Sequence, residues 1–187
     1  MSIIKNPVKL IGLVIIIAGA IMFVAGGTTW GLVTTQLKAE NITVAAVTPE
    51  NPGRLAGKQV AGPFTAYAQA SAINHHALEA AKDRTYAQIG DDAKVIKAKL
   101  AAGGMSEADI KTNPEVVANA ATRTSTMNGS FLRASLFTSV ISFGVAALVM
   151  GLGFLFALLG FAVIKLGAAT VVVSAPTKTA KPAGAPA

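Results

Sequence analysis

The sequence predicts a mostly α membrane protein: two transmembrane helices flank a small helical extracytoplasmic domain that carries a candidate short β-hairpin. Three observations predict it. Residues 134–164 are thirty-one in a row without Lys, Arg, Asp, Glu, His, Asn, Gln or Pro. A weaker apolar run, LIGLVIIIAGAIMFVAGG, covers residues 10–27. The positive charge gathers outside these runs. About 18 or more apolar residues suffice to cross the ~30 Å hydrocarbon layer at ~1.5 Å rise per residue. In that layer every backbone N–H and C=O must pair within its own segment, so a lone span is helical.

Five segments follow: a cytoplasmic basic leader (1–9), transmembrane helix 1 (10–30), an extracytoplasmic domain (31–130), transmembrane helix 2 (131–165) and a disordered cytoplasmic tail (166–187). The net charge of +7 divides tellingly. Lys5 and Lys9 stand before the first span, and Lys165, Lys178 and Lys181 after the second, with no acid in either place. Residues 28–133 hold eleven Lys or Arg against nine Asp or Glu. The excess marks the membrane flanks and both termini as cytoplasmic, by the preference for positive charge inside. It does not mark a nucleic-acid surface. The chain has no Cys, which excludes disulfides, thiolate metal sites and Cys nucleophiles.

A basic leader before an apolar core also fits a secretory signal peptide. The run is longer than the ~7–15 residues of a signal core, and its exit, VAGGTTW, has no A-x-A site, so an uncleaved anchor is expected. Trp30 stands just beyond the run, where an aromatic ring suits the headgroup zone. Arg133 holds the matching place before the second span. Gly12, Gly19 and Gly26 are spaced by seven, as are Ala146, Gly153, Gly160 and Gly167. A seven-residue step keeps small residues on nearly one face, and small stripes let membrane helices approach closely. Packing of Gly12, Gly19 and Gly26 against Ala146, Gly153 and Gly160 is therefore expected, with the helices antiparallel. At ~46 Å, the second run should tilt or project past the outer surface and join a helix begun at Pro114.

Between the spans, residues 32–38 continue the first helix outward. Residues 41–47, NITVAAV, read as a short strand that pairs with 58–60 across the turn-rich TPENPGRLAG. Pro63 opens a helix over 63–82. Residues 84–90 read as a connector. Asp91 and Asp92 start a second helix, which Gly103 and Gly104 close. Ser106 begins a further turn, and Asn113-Pro114-Glu115 starts another helix. Asn128-Gly129 is a turn dipeptide expected to break it.

Reactive constellations are scarce. His75 and His76 are the only histidines. Adjacent on a helix, they point about 100° apart and cannot share a metal. His75 and Glu79 are four apart and form the one weak metal candidate. No cofactor is expected. No phosphate loop or Ser/His/Asp set is visible, and neither span carries an ionisable residue, which argues against ion transport through the pair.

The blocks GPFTAYAQASAINHHALEA, TYAQIG and NGSFLRASLFTSVISFGVAALVMGLG, with AGGTTWGLV at the first span's exit, resemble an uncharacterised family of actinobacterial two-span membrane proteins. The resemblance covers most of residues 10–160; the stretch from Ala93 to about Pro114 is longer than the family pattern. It implies an actinobacterial host and a cell-membrane location. Its members are often labelled aromatic ring-opening dioxygenases, and that activity needs two His and a carboxylate on iron. The reading that follows is a non-enzymatic integral membrane protein with an extracytoplasmic interaction domain, an accessory or structural component of the cell envelope. Its partners would be the lipid bilayer and a membrane protein or a second copy of itself. The alternatives are the dioxygenase of the family label and an extracytoplasmic module for a small ligand or lipid.

Overall fold

The computed structural model describes residues 7–173, with side chains through residue 167. Residues 1–6 of the basic leader and residues 174–187 lie outside the described residues; of the tail expected to be disordered from residue 166, residues 166–173 continue the last helix. Five helices follow in order: α1 (Pro7–Ala39), α2 (Pro63–Ala80), α3 (Tyr86–Ala102), α4 (Glu107–Thr112) and α5 (Pro114–Val173). They form two compact units, residues 7–28 with 146–173, and residues 29–145.

The first unit is a pair of antiparallel helix segments. Its buried residues are nearly all small: Gly12, Gly19, Gly26, Ala146, Gly153, Gly160 and Gly167. Large apolar side chains such as Ile21, Val24, Leu148 and Phe154 point outward.

The second unit has a true core. Trp30, Val33 and Leu37 of α1 meet Ala66 and Ala70 of α2, Leu136, Val140 and Phe143 of α5, and Val44 and Val60 from the α1–α2 connection. Phe143 is 1% exposed, and the Trp30 ring meets it edge-on, with centroids 4.7 Å apart. Helix α2 runs antiparallel to α5. Tyr67 stacks edge-on against Phe137, and fourteen residues on, Ala81 shares a small cavity with Ala121 and Thr122.

Three expectations need correction. First, the β-hairpin does not form: there is no strand among the described residues. Residues 41–47 and 58–60 meet only at one antiparallel bridge, Thr43 opposite Gln59. Val44 N–H donates to Lys58 O and Val60 N–H to Ile42 O, both at 2.8 Å. Beyond that, Gly57 N–H donates to Val44 O and Val47 N–H to Pro52 O, and helix α2 takes two further backbone groups. Ala45 N–H donates to the buried Gln69 Oε1 at 2.7 Å, and the Ala46 carbonyl accepts from His76 Nε2 at 2.8 Å. Ala61 and Gly62 N–H donate to Thr65 Oγ1. The segment is strapped to a helix and has no second strand to extend a ladder.

Second, α3 starts at Tyr86, five residues before the acids expected to open it. Thr85 and Gln88 form a reciprocal capping box: Gln88 N–H donates to Thr85 Oγ1, and Thr85 N–H to Gln88 Oε1. The supposed connector is therefore the first turn of the helix. Its end follows the glycine pair as read, with Gly104 at φ +83.

Third, Asn128-Gly129 does not break α5, which runs unbroken for 60 residues. A Cβ on Gly129 would lie 3.2 Å from the Ala77 Cβ, so the glycine marks a close approach of α2. Downstream, Thr138, Ser139 and Ser142 hydroxyls donate to the carbonyls four residues back. Their polar groups are thereby satisfied within the helix.

Candidate functional site

Two places carry the residues singled out in the sequence. The first is the seam between the α1 and α5 segments of the first unit. A Cβ built on Gly12 would lie 2.7 Å from Gly160 O, one on Gly19 2.5 Å from Gly153 O, and one on Gly26 2.7 Å from Ala146 O. The relation is mutual: Cβ atoms on Gly153 and Gly160 would each lie 2.5 Å from the carbonyls of Gly19 and Gly12. Real Cβ atoms are excluded from such distances. The backbones approach so closely only because these side chains are absent. Gly144 and Gly151, off the seam, have nothing within 4 Å.

The second place is the surface of the second unit around α2. His75 and His76 are both exposed, their rings 5.6 Å apart and steeply inclined. Glu79 approaches His76 Nδ1 at 3.7 Å, so the carboxylate has the other histidine as its neighbour. Among the described residues no group of three or more His, Cys, Asp or Glu is placed to hold a metal. His76 instead ties down the Ala46 carbonyl. His76→Ala should then cost about 0.5–1.5 kcal/mol, the net worth of one hydrogen bond. His75→Ala should stay within ~0.5 kcal/mol. Thermal unfolding of the two variants checks this; equal losses would mean that the Ala46 tie contributes nothing.

Trp30 is half-buried against Phe143. Arg133 lies with its guanidinium 5.9 Å from the Phe137 ring, its buried Nε without a hydrogen-bond partner. At the other end of the uncharged run, Lys165 sits 5.2 Å over Phe161. Each cation bounding the run thus leans on an aromatic ring four residues inside it.

The remaining polar contacts hold the helices of the second unit. Arg84 pairs with Asp92 at 2.7 Å, and Arg123 lies 4.2 Å over the Tyr86 ring, joining α3 to α5. A hydrogen bond from Lys94, and its charge, hold the Asp91 carboxyl below the usual carboxylate range. That surface contribution is present at neutral pH and disappears as pH falls through the lowered value. A groove of about 320 Å³ opens between the 44–56 segment and α2, lined by Val44, Val47, Leu55, Arg54 and Tyr67. Gln69 was not legible as a structural residue: one Gln among alanines on a helix carries no mark of the amide it will meet 24 residues away.

Comparison with protein-family models, curated proteins and solved structures finds no match for this chain.

Proposed function

We propose that this chain is a non-enzymatic integral membrane protein of the cell envelope, anchored twice, whose outer unit serves as an interaction domain. One observation carries the reading. α1 and α5 are each long and apolar enough to cross a membrane, yet only 11% of the residues in their most apolar windows are buried. A core helix of a water-soluble protein would hide most of that surface, and large exposed apolar patches mark contact with a membrane or partner. The paired stretch of the first unit, from the Val8–Gly167 contact to the Gly26–Ala146 contact, is about 20 residues or ~30 Å long, which matches the hydrocarbon layer. The rest of the second run supplies Leu136, Val140 and Phe143 to the core of the outer unit, so its surplus length needs no tilt. Both termini are then cytoplasmic, with residues 31–130 outside, in keeping with the lysines on the flanks. The close packing of Gly12, Gly19 and Gly26 on α5 supports α1 as a retained anchor.

Labelling of intact cells with an impermeant maleimide tests the topology. A Cys at Lys97 should react at once, and one at Lys181 only after permeabilisation; the opposite pattern would reverse the orientation. Purification in mild detergent tests the accessory role, and a strictly monomeric species with no reproducible partner would sink it. The groove beside Tyr67 and Arg54 favours a second reading, a module for a small amphiphilic ligand, which thermal-shift screening would separate from the first. The ring-opening dioxygenase implied by the resemblance predicts stoichiometric iron after anaerobic loading, lost on His75→Ala.

A further inference from the structure

Resting on the ligand-module reading above, we propose that the groove between the 44–56 segment and α2 binds a medium-chain carboxylate. Its chain lies against Val44, Val47, Leu55 and the Tyr67 ring, and its head pairs with Arg54. All of the groove lies within the second unit. Its walls are fixed before any ligand arrives. Val44 makes two backbone bonds to the far end of the connection: its N–H donates to Lys58 O and its carbonyl accepts from Gly57 N–H, both at 2.8 Å. Val47 N–H donates to Pro52 O at 3.2 Å, and Gln69 holds Ala45 from the helix side. Gly53 and Gly57, at φ +87 and +74, bend the chain at the two ends of the short turn that carries Arg54 and Leu55. Opposite, the Tyr67 ring is set edge-on to Phe137, with centroids 5.8 Å apart. Walls held in this way lose little freedom when a ligand settles between them.

Size and charge narrow the ligand. An apolar cavity of about 150 Å³ takes up one benzene, so about 320 Å³ holds roughly a dozen non-hydrogen atoms. A ten-carbon carboxylate is of that size. Aliphatic and aromatic walls with a few polar groups are the usual make-up of a small-molecule site. Here the lining includes one cation, Arg54, and no carboxylate. Arg54 is exposed and has no ion pair among the described residues. Its planar guanidinium matches a carboxylate through two parallel hydrogen bonds. The Ser71 hydroxyl is committed to the Tyr67 carbonyl at 3.0 Å. The Tyr67 hydroxyl makes no hydrogen bond among the described residues and supplies a second donor. A lining with a cation and no acid favours an anionic head and disfavours an ammonium one.

Photolabelling with decanoic acid that carries a diazirine on its last carbon tests the assignment. The full chain is irradiated in phosphatidylcholine nanodiscs at mildly alkaline pH, and adducts are mapped by mass spectrometry of its peptides. Adducts within residues 44–71 should saturate with probe. Decanoate should displace them several-fold more effectively than its methyl ester, which has the same chain and no charge. Arg54→Gln should cut the saturable labelling about ten-fold, the loss of one charge-assisted pair. Lys58→Gln removes an exposed cation of the same connection that does not line the groove, and should leave labelling unchanged. If labelling of 44–71 saturates but the ester competes equally and Arg54→Gln has no effect, the carboxylate is wrong and the ligand module stands. If labelling there never saturates, the groove is not a ligand site, and the module falls together with its ligand.

Discussion

Gly19→Ala and Gly153→Ala are expected to destabilise the helix pair by about 2–3 kcal/mol each, the upper part of the range for overpacking a tight interior. The reason is geometric. The added methyl on residue 19 would meet Gly153 O at 2.5 Å and Ala157 N at 2.8 Å. Both are backbone atoms of a helix and cannot swing aside as a side-chain end could. The whole of α5 must move away, and every other contact on the seam loosens with it. Gly151→Ala and Gly144→Ala provide the opposite case on the same helix. Nothing lies within 4 Å of their new methyl groups. Alanine is the better helix former by about 1 kcal/mol, so these variants should be neutral or more stable. Unfolding in mild detergent, followed by helical circular dichroism, reads all four. The prediction is a difference in sign between seam and off-seam glycines. If all four shift alike, the seam does not hold the pair.

Phe143→Ala should cost about 3–5 kcal/mol, the usual range for removing a buried Phe. Against the 5–15 kcal/mol that ordinarily holds a domain together, that is a third or more of the whole. Phe143 is 1% exposed and holds Trp30, Leu37 and Leu136 in one cluster. Trp30 is the only tryptophan, so its emission reports this site alone. The variant should shift that emission to the red and speed proteolysis between the spans. Phe154→Ala, on an outward-facing residue of the span, should leave both readouts near the starting values. An unshifted Trp30 spectrum in Phe143→Ala would mean that the ring pair does not organise the second unit.

Much of the helical order was legible because its signals are local. Length and lack of charge mark α1 and α5. Pro63 marks the start of α2, Ser106 that of α4, and Pro114 that of α5. The start of α3 was equally local but was overlooked, because the acids at 91 and 92 drew attention from the Thr85–Gln88 capping box. The candidate metal pair illustrates the limit. The spacing of His75 and Glu79 shows only that both can share a helix face; the side-chain geometry sets Glu79 beside His76.

What the sequence by itself determined is therefore the set of helices and the seven-residue spacing of small residues along two of them, since both depend on neighbours within a turn or two. Three matters were decided only by tertiary structure. Residues 41–47 have the composition of a strand, but Gln69 and His76 of α2 claim their polar groups, and those partners are 24 and 30 residues away. Asn128-Gly129 is a turn in isolation, yet Gly129 stays helical where it gives α2 room beside Ala77. The uncharged run 134–164 has no internal mark where its packing changes. The change comes at residues 145 and 146, where packing passes from the Trp30–Phe143 ring contact to backbone against backbone, because apolar side chains are equally at home in a protein core and in a bilayer.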